Sequence, residues 1–377
     1  MKARLGNYIS EYSVRNHAGE NIPVYSVTNT DGFCTGYFDK DVSSKDKSTY
    51  KIVPKGFFAY NPSRINVGSI DWLRYRDRVI VSPLYVVFSV SDRLLPQYLY
   101  YYLKSNVGLN YICATSQGSV RNNLKFSMLQ DFPIEIRTIE DQKVVISILD
   151  KIKNLCLLQK KILEQYDNLI KARFVEMFGD LDAGTNKYQT MRLSDLVNKI
   201  SDGVHSKPNY TETGRPFLSV VNINKGKVDF SGCKFVSEDA YQKMIRSTYP
   251  QKGDILYTKV GATYGIPAYV DTEIEFCLYV SVCLIKPKHD MINSRFLAIQ
   301  MSLPMIKHQA DLRIKGIGVP DLHLNQISEF NIICPPRELQ DSFVDFVNQI
   351  DKSKVAVQKS LEQTQMLFDS LMQQYFG

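Results

Sequence analysis

The residues of this chain that could do chemistry are scattered rather than gathered. Asn61-Pro62-Ser63-Arg64 begins like the Asn-Pro-Pro-aromatic motif with which amino-methyltransferases hold a target base, but the second proline and the aromatic are missing. Gly316-Ile317-Gly318 is a lone G-x-G without the third glycine or the preceding strand that a dinucleotide turn requires. No Walker A sequence occurs, no Asp is followed by a nuclease-type Glu-x-Lys, and Asp254 and Lys259 read as strand-end residues. The five histidines, His17, His205, His289, His308 and His323, lie far apart with no H-x-x-x-H spacing. No self-contained active site and no metal site is expected.

The types and spacings do suit readout of nucleic acid. Tyr60 to Ser69 holds Asn61, Ser63, Arg64 and Asn66, and Arg and Asn are the side chains able to make paired hydrogen bonds to guanine or adenine edges. Thr258 to Gly265 offers Lys259, Thr263 and Tyr264 among glycines that would let a phosphate approach the backbone. A second pair of loops contains Gln117, Ser119 and Arg121 in one half of the chain, and Arg313 and Lys315 in the other. Taken singly, each is an ordinary surface turn. Their recurrence at corresponding places in both halves favours function, with Tyr60 and Ser69 included in the candidate DNA-binding set.

Those loops are positioned by a duplicated framework. Sliding the sequence by 198 positions lays Leu124 to Gly179 on Leu322 to Gly377 without a gap. Phe132 falls on Phe330, Ile134 on Ile332, Glu140 on Glu338, Gln142 on Gln340, and Leu163-Glu164-Gln165 on Leu361-Glu362-Gln363. The copies close on Met177-Phe178-Gly179 and Tyr375-Phe376-Gly377. Ile148, Ile152, Leu155, Ile162, Tyr166 and Leu169 recur at helical spacing, interrupted by Gln159; Phe346, Ile350, Val357, Leu361, Phe368 and Leu371 do so in the second copy. Thr138 is the expected N-cap, Glu140, Asp141 and Glu338 suit a helix N-terminus, and Gly179 suits a left-handed C-cap. Glu140 to Phe178 would form a rod of roughly 58 Å. A rod of that length needs a partner for its apolar stripe, and the other copy is the obvious one.

The segments before the rods echo each other more loosely. Arg4-Leu5 matches Arg192-Leu193, Pro23 to Val27 matches Pro216 to Val220, Lys55-Gly56 matches Lys252-Gly253, and Leu84-Tyr85-Val86 matches Leu278-Tyr279-Val280. Ile22 to Val27, Tyr50 to Val53, Arg78 to Val81 and Leu84 to Val90 read as strands, Thr30-Asp31-Gly32 as a turn, and Pro96 opens a helix. The expected fold is α/β (α+β): two similar mixed domains with curved sheets, separated by two long antiparallel coiled-coil helices, with approximate two-fold symmetry. The expected boundaries are 1–138, 139–179, 180–336 and 337–377, alternating domain and spacer helix.

Composition bounds the rest. Seven cysteines scattered singly, without C-x-x-C, argue against a disulfide framework and fit a reducing compartment. No apolar run suits a signal peptide or a membrane helix, so a soluble, cytoplasmic protein is expected. The net charge of +7 sits outside the rods: residues 1–138 carry 17 Lys/Arg against 11 Asp/Glu, and 180–336 carry 18 against 16. That balance suits either plain solvation or a polyanion surface.

Two variable domains, each followed by an L…F-x-I…E-x-Q…L-E-Q…F-G helix, resemble the specificity subunit of type I restriction-modification enzymes over essentially the whole chain. Ser201-Asp202-Gly203-Val204-His205-Ser206-Lys207-Pro208 resembles the Asp-Gly-x-His-x-x-Pro signature of many target-recognition domains in that family, which adds His205 and Lys207 to the candidate set. The first domain shows no counterpart at Glu11 to Asn16, as expected of two different recognition subtypes. The resemblance implies a non-catalytic subunit whose domains each read one half of a split target on double-stranded DNA. It implies helices that set the gap and bind two methyltransferase subunits, with restriction/translocase subunits completing the complex. No cofactor is expected on this chain; S-adenosylmethionine for adenine-N6 methylation, and ATP and Mg for cleavage, would belong to the partners. The alternatives are a recognition subunit for a fused nuclease-methyltransferase, and a helical adaptor that binds no DNA.

Overall fold

The computed structural model describes residues 2–36, 47–116, 123–223, 226–314 and 318–377. In chain order the first half comprises β1 (Lys2–Arg4), β2 (Ile9–Glu11), β3 (Ser26–Thr28), β4 (Gly32–Cys34), β5 (Lys51–Pro54), β6 (Phe58–Tyr60), β7 (Ile70–Trp72), β8 (Arg78–Val81), β9 (Val86–Val90), α1 (Pro96–Lys104), α2 (Asn106–Ser116), α3 (Phe126–Gln130), β10 (Pro133–Glu135) and α4 (Ile139–Phe178). The second comprises β11 (Thr190–Arg192), α5 (Leu193–Leu196), β12 (Val197–Asp202), β13 (Arg215–Leu218), β14 (Lys234–Val236), α6 (Glu238–Met244), β15 (Ile255–Thr258), β16 (Pro267–Tyr269), β17 (Cys277–Leu278), β18 (Val282–Pro287), α7 (Ser294–Met301), α8 (Pro304–Arg313), α9 (Leu324–Ser328), β19 (Asn331–Ile333) and α10 (Arg337–Phe376).

The chain divides into two compact units, Met1–Lys161 with Val357–Gly377, and Ile162–Ala356. Each therefore takes one end of both long helices. Their internal topologies match. The main sheet of the first runs β2-β9-β6-β7 and that of the second β12-β18-β15-β16, all neighbours antiparallel. A two-stranded antiparallel pair, β1 with β10 and β11 with β19, ties each domain's first strand to the strand before its long helix. The units differ at the side of the sheet: the first pairs β3 with β4 and β5 with β8, whereas the second builds one three-stranded sheet, β14-β13-β17.

Thr138 caps α4 as expected, its Oγ accepting from Asp141 N at 3.1 Å. Gly179 ends it at φ +89°, and a Cβ there would lie 2.1 Å from Thr185 O. Forty residues make each long helix about 60 Å long. Within the first unit the two helices run antiparallel, Arg137 meeting Tyr375 and Gln159 meeting Ser360; within the second, Phe174 meets Phe343 and Asp167 meets Lys354.

The inward face of α4 is only in part the stripe that the helical spacing suggested: Ile148, Ile152 and Tyr166 are covered. Leu155, Ile162 and Leu169 are exposed, while Val145, Leu149, Ile152, Cys156, Gln159, Leu163, Tyr166 and Ile170 form the covered seam. The alternating steps of four and three in that set are the heptad spacing of paired helices. Ile and Leu outnumber the seam residues on α4, so composition misled where register decides. Leu84 is likewise exposed, and the strand it was expected to open begins at Val86.

The repeated residues now have structural reasons. Gln142 is fully buried: its Oε1 accepts from Leu95 N, and its Nε2 donates to Arg93 O and Arg137 O. Gln340 makes the same set with Asn293 N, Met291 O and Pro335 O. Each glutamine fastens the start of a long helix to the segment leading into α1 or α7. The closing phenylalanines work at the other end. Phe376, with Met372, enters the core of the first unit beside Tyr98, while Phe178, with Phe174, enters that of the second against Phe296 and Phe343.

Candidate nucleic-acid interface

Antiparallel order places the end of β6, the start of β9 and the end of β2 at one edge of the first sheet; the ends of β15 and β12 and the start of β18 form the same edge in the second. The loops that follow Tyr60, Thr258 and Asp202 leave from these edges.

In the first unit the loop from Asn61 to Ser69 is built from within. Asn61 Oδ1 accepts from Ser63 N at 3.0 Å, closing a side-chain turn, and Ile65 is buried beneath a single 3-10 turn that ends on Gly68 at φ +84°. Lys104, the last residue of α1, holds the loop from below: its Nζ donates to Gly68 O and, at 2.9 Å, to Asn29 Oδ1. Burial lowers its pKa to about 8, with nearby Asp71 opposing. Ser63, Arg64 and Asn66 are exposed and Asn61 is half-buried.

Two expected members leave the set. Tyr60 is fully buried, its hydroxyl donating to Leu124 O at 3.2 Å, and burial raises its pKa. Ser69 is buried immediately before β7. Tyr60 lies in the aromatic cluster with Phe58 and Phe88 that β6 and β9 carry, and Ser69 is covered because it leads directly into β7, which pairs with β6. Gln117, Ser119, Arg121 and Lys315 lie outside the described residues.

The second unit uses charge at the same edge. His205 and Lys207 are exposed, and His205 Nε2 lies 3.8 Å from Asp202 Oδ2. A Cβ on Gly203 would lie 2.1 Å from Leu278 O, so the Asp-Gly pair answers a close crossing of backbone. Thr263 is exposed, and its carbonyl accepts from Thr258 Oγ1 at 2.7 Å.

Lys259 is not a surface cation. Its side chain is 6% exposed, and its Nζ lies 3.6 Å from Asp202 and 3.5 Å from Asp321. Burial raises the pKa of Asp202, with the Lys259 charge opposing. Arg313 is engaged too, donating to Gln309 O and Glu329 O at the end of α8. Tyr264 is half-buried, with its hydroxyl on Asp311 and Lys307 3.6 Å over its ring. These three were expected to face a ligand because their types suit one; the fold uses them to tie loops and a helix end together. Asp321 and Lys104 were missed. The register could have flagged Asp321, which immediately precedes the repeat's opening Leu322 and answers to Asn123 before Leu124.

Among the described residues no group of His, Cys, Asp and Glu could hold a metal ion, and no helix is long and apolar enough to cross a membrane. Two equivalent sheet edges carrying different polar loops, on domains that each take one end of a pair of long helices, are the architecture of a duplicated two-domain protein.

The chain belongs to the type I restriction-modification DNA specificity family, whose domain model matches residues 6–167 and again 185–364. It is a specificity subunit, a non-catalytic component of such a system. It is 23% identical over 300 residues to the type I restriction enzyme MjaIX specificity subunit of Methanocaldococcus jannaschii, covering 75% of this chain and 68% of that protein. It is 23% identical over 376 residues to the EcoBI specificity subunit of Escherichia coli, covering 89% and 78%. In fold it is similar to a chain from a structure concerning complex assembly and conformational transition of the type I system, with a TM-score of 0.63 at 16% identity over 100% of this chain and 97% of that one. The S subunit from M. genitalium gives 0.51 at 14% identity, over 100% and 96%.

Proposed function

We propose that residues 1–138 and 180–336 are target-recognition domains that each read one half of a bipartite sequence on double-stranded DNA, and that the helices at 139–179 and 337–377 space them and dock methyltransferase subunits. The observation that carries this reading is the pair of equivalent sheet edges bearing different side chains. Two readers of one fold but unlike chemistry suit an asymmetric target. The candidate contacts are Asn61, Ser63, Arg64 and Asn66 in the first domain, and His205, Lys207 and Thr263 in the second. Leu155, Leu157 and Leu158, exposed on α4, suit a protein partner on the helix face away from the seam. Adenine-N6 methylation with S-adenosylmethionine, and cleavage with ATP and Mg, fall to methyltransferase and restriction subunits.

A rod of about 60 Å reaches at most roughly 17 base pairs at about 3.4 Å each, so the gap between half-sites is short. The test is genome-wide detection of N6-methyladenine in cells with and without this chain, expressed beside its methyltransferase. A bipartite motif that vanishes with the chain supports the reading and yields both half-sites. An unchanged methylome with an active methyltransferase would make the chain an adaptor. Inserting one heptad into both helices is expected to lengthen the gap and leave the half-sites alone.

A further inference from the structure

Three segments of the second unit meet at Lys259. Asp202 ends β12, Lys259 follows β15, and Asp321 precedes α9, joined to Lys259's neighbour by a bridge between Val260 and Asp321. Lys259 N donates to Ser281 O at 3.1 Å, and Leu322 N donates to Lys259 O at 2.9 Å, so the backbone of this residue is also held. Its ammonium is sealed beneath two carboxylates: the Asp321 side chain is 46% exposed and that of Asp202 14%, with His205, beside Asp202, open to solvent at 78%. Buried Asp202 Oδ1 and Ser281 Oγ have no hydrogen-bond partner among the described residues.

Two carboxylates around one ammonium leave net negative charge at this spot, which repels phosphate. An ionised carboxylate only accepts hydrogen bonds. In the major groove the donors are the exocyclic amino groups of cytosine and adenine. We propose that Lys259 is a positioning residue for recognition by the second domain: without touching DNA it fixes the Asp321 carboxylate, and through Asp202 the His205 ring, so that Asp321 accepts from the amino group of a cytosine or adenine. This rests on the reading that residues 180–336 contact one half-site.

The test uses the full chain assembled with its methyltransferase, comparing wild type with Lys259→Met and Asp321→Asn. The readouts are the methylated motif in genomic DNA and the salt dependence of binding to a duplex carrying the wild-type motif. Asp321→Asn, isosteric and at the surface, is expected to lower discrimination at a single base pair of one half-site by about 5- to 150-fold. Lys259→Met is expected to relax the same half-site with the slope of log affinity against log salt unchanged. A slope shallower by about one with the motif intact would make Lys259 a phosphate contact and overturn the proposal. An unchanged motif and slope with a lower melting temperature would reduce the cluster to a structural ion pair. A triple variant, His205→Ala with Lys207→Ala and Thr263→Ala, separates the underlying reading: if it leaves both half-sites and affinity unchanged, the second domain does not read DNA, and the fault lies with the proposed function.

Discussion

The two recognition edges share backbone and differ in chemistry. Tyr60 and Thr258 are equivalent, 198 positions apart and paired with Val86 and Val282 in matching ladders. One residue on, the first domain has Asn61, closing a turn with its own amide, where the second has Lys259 buried between carboxylates. Asn123 stands where the second has Asp321. Beneath the loops the arrangement changes sides: a half-buried lysine, Lys104, pins the first loop from α1, while the second is tied by an ion-pair cluster at the edge itself. Cores and ladders keep the loops in register, so the polar residues on them can differ without disturbing the fold. That separation is what a protein needs if its halves are to acquire different targets.

The largest effects should come from the shared framework. Phe178→Ala removes a ring packed against Phe174, Phe296 and Phe343, at a cost of about 3–5 kcal/mol, while Phe376→Ala removes one that keeps some exposure and should fall at the low end of that range. Denaturant unfolding followed by hydrogen exchange should place each loss in its own unit. Equal protection losses in both units after either substitution would show that the halves are not separately stabilised. Gln142→Ala and Gln340→Ala come next. Each leaves a half-buried backbone N–H, of Leu95 or Asn293, without its acceptor, a loss of about 1–3 kcal/mol. Because the two glutamines make equivalent bonds, their melting-temperature shifts should agree; a large disagreement would break the equivalence.

Much of this framework was legible in the sequence because duplication acts as an internal alignment. A gapless offset of 198 marks Gln142 and Gln340, Phe178 and Phe376 as positions the fold holds constant. The loops after Tyr60 and Thr258 could be matched to each other for the same reason, since Lys55-Gly56 and Lys252-Gly253 precede equivalent strands, and both glycines adopt positive φ. Individual side chains were harder. Tyr60, Ser69 and Lys259 have types that suit DNA, and nothing local says that one more residue of strand or a pair of carboxylates from distant segments buries them. Leu155, Ile162 and Leu169 failed for a related reason: an apolar side chain one position off the heptad faces solvent whatever its type.

Arg64→Ala tests the first edge directly. If Arg64 reads a base, discrimination at one position should fall by about 1–3 kcal/mol in one half-site only, measured as competition between matched and mismatched duplexes. Uniform weakening on all DNA, with a salt slope lower by about one, would make it a phosphate contact. Paired with Asp321→Asn, it asks whether each edge governs its own half-site.

The smallest effects separate the edges by pH. Lys104 has a folded pKa of about 8, below the 10.5 of the free side chain. Between those values the unfolded chain binds more protons than the folded one, so this contribution to stability is present above 10.5 and lost as pH falls through 8. Asp202 has a folded pKa raised above 3.8, so its contribution is present below the unfolded value and lost as pH rises through the folded one. The two edges thus bias stability toward opposite ends of the scale. Urea midpoints measured from pH 8 to 10 should rise less in Lys104→Met than in wild type, while midpoints from pH 4 upward should fall less in Asp202→Asn. If Lys104→Met kept the wild-type slope above pH 8, the lysine beneath the first loop would not be titrating there, and the contrast between a pinned loop and an ion-paired one would lose its electrostatic basis.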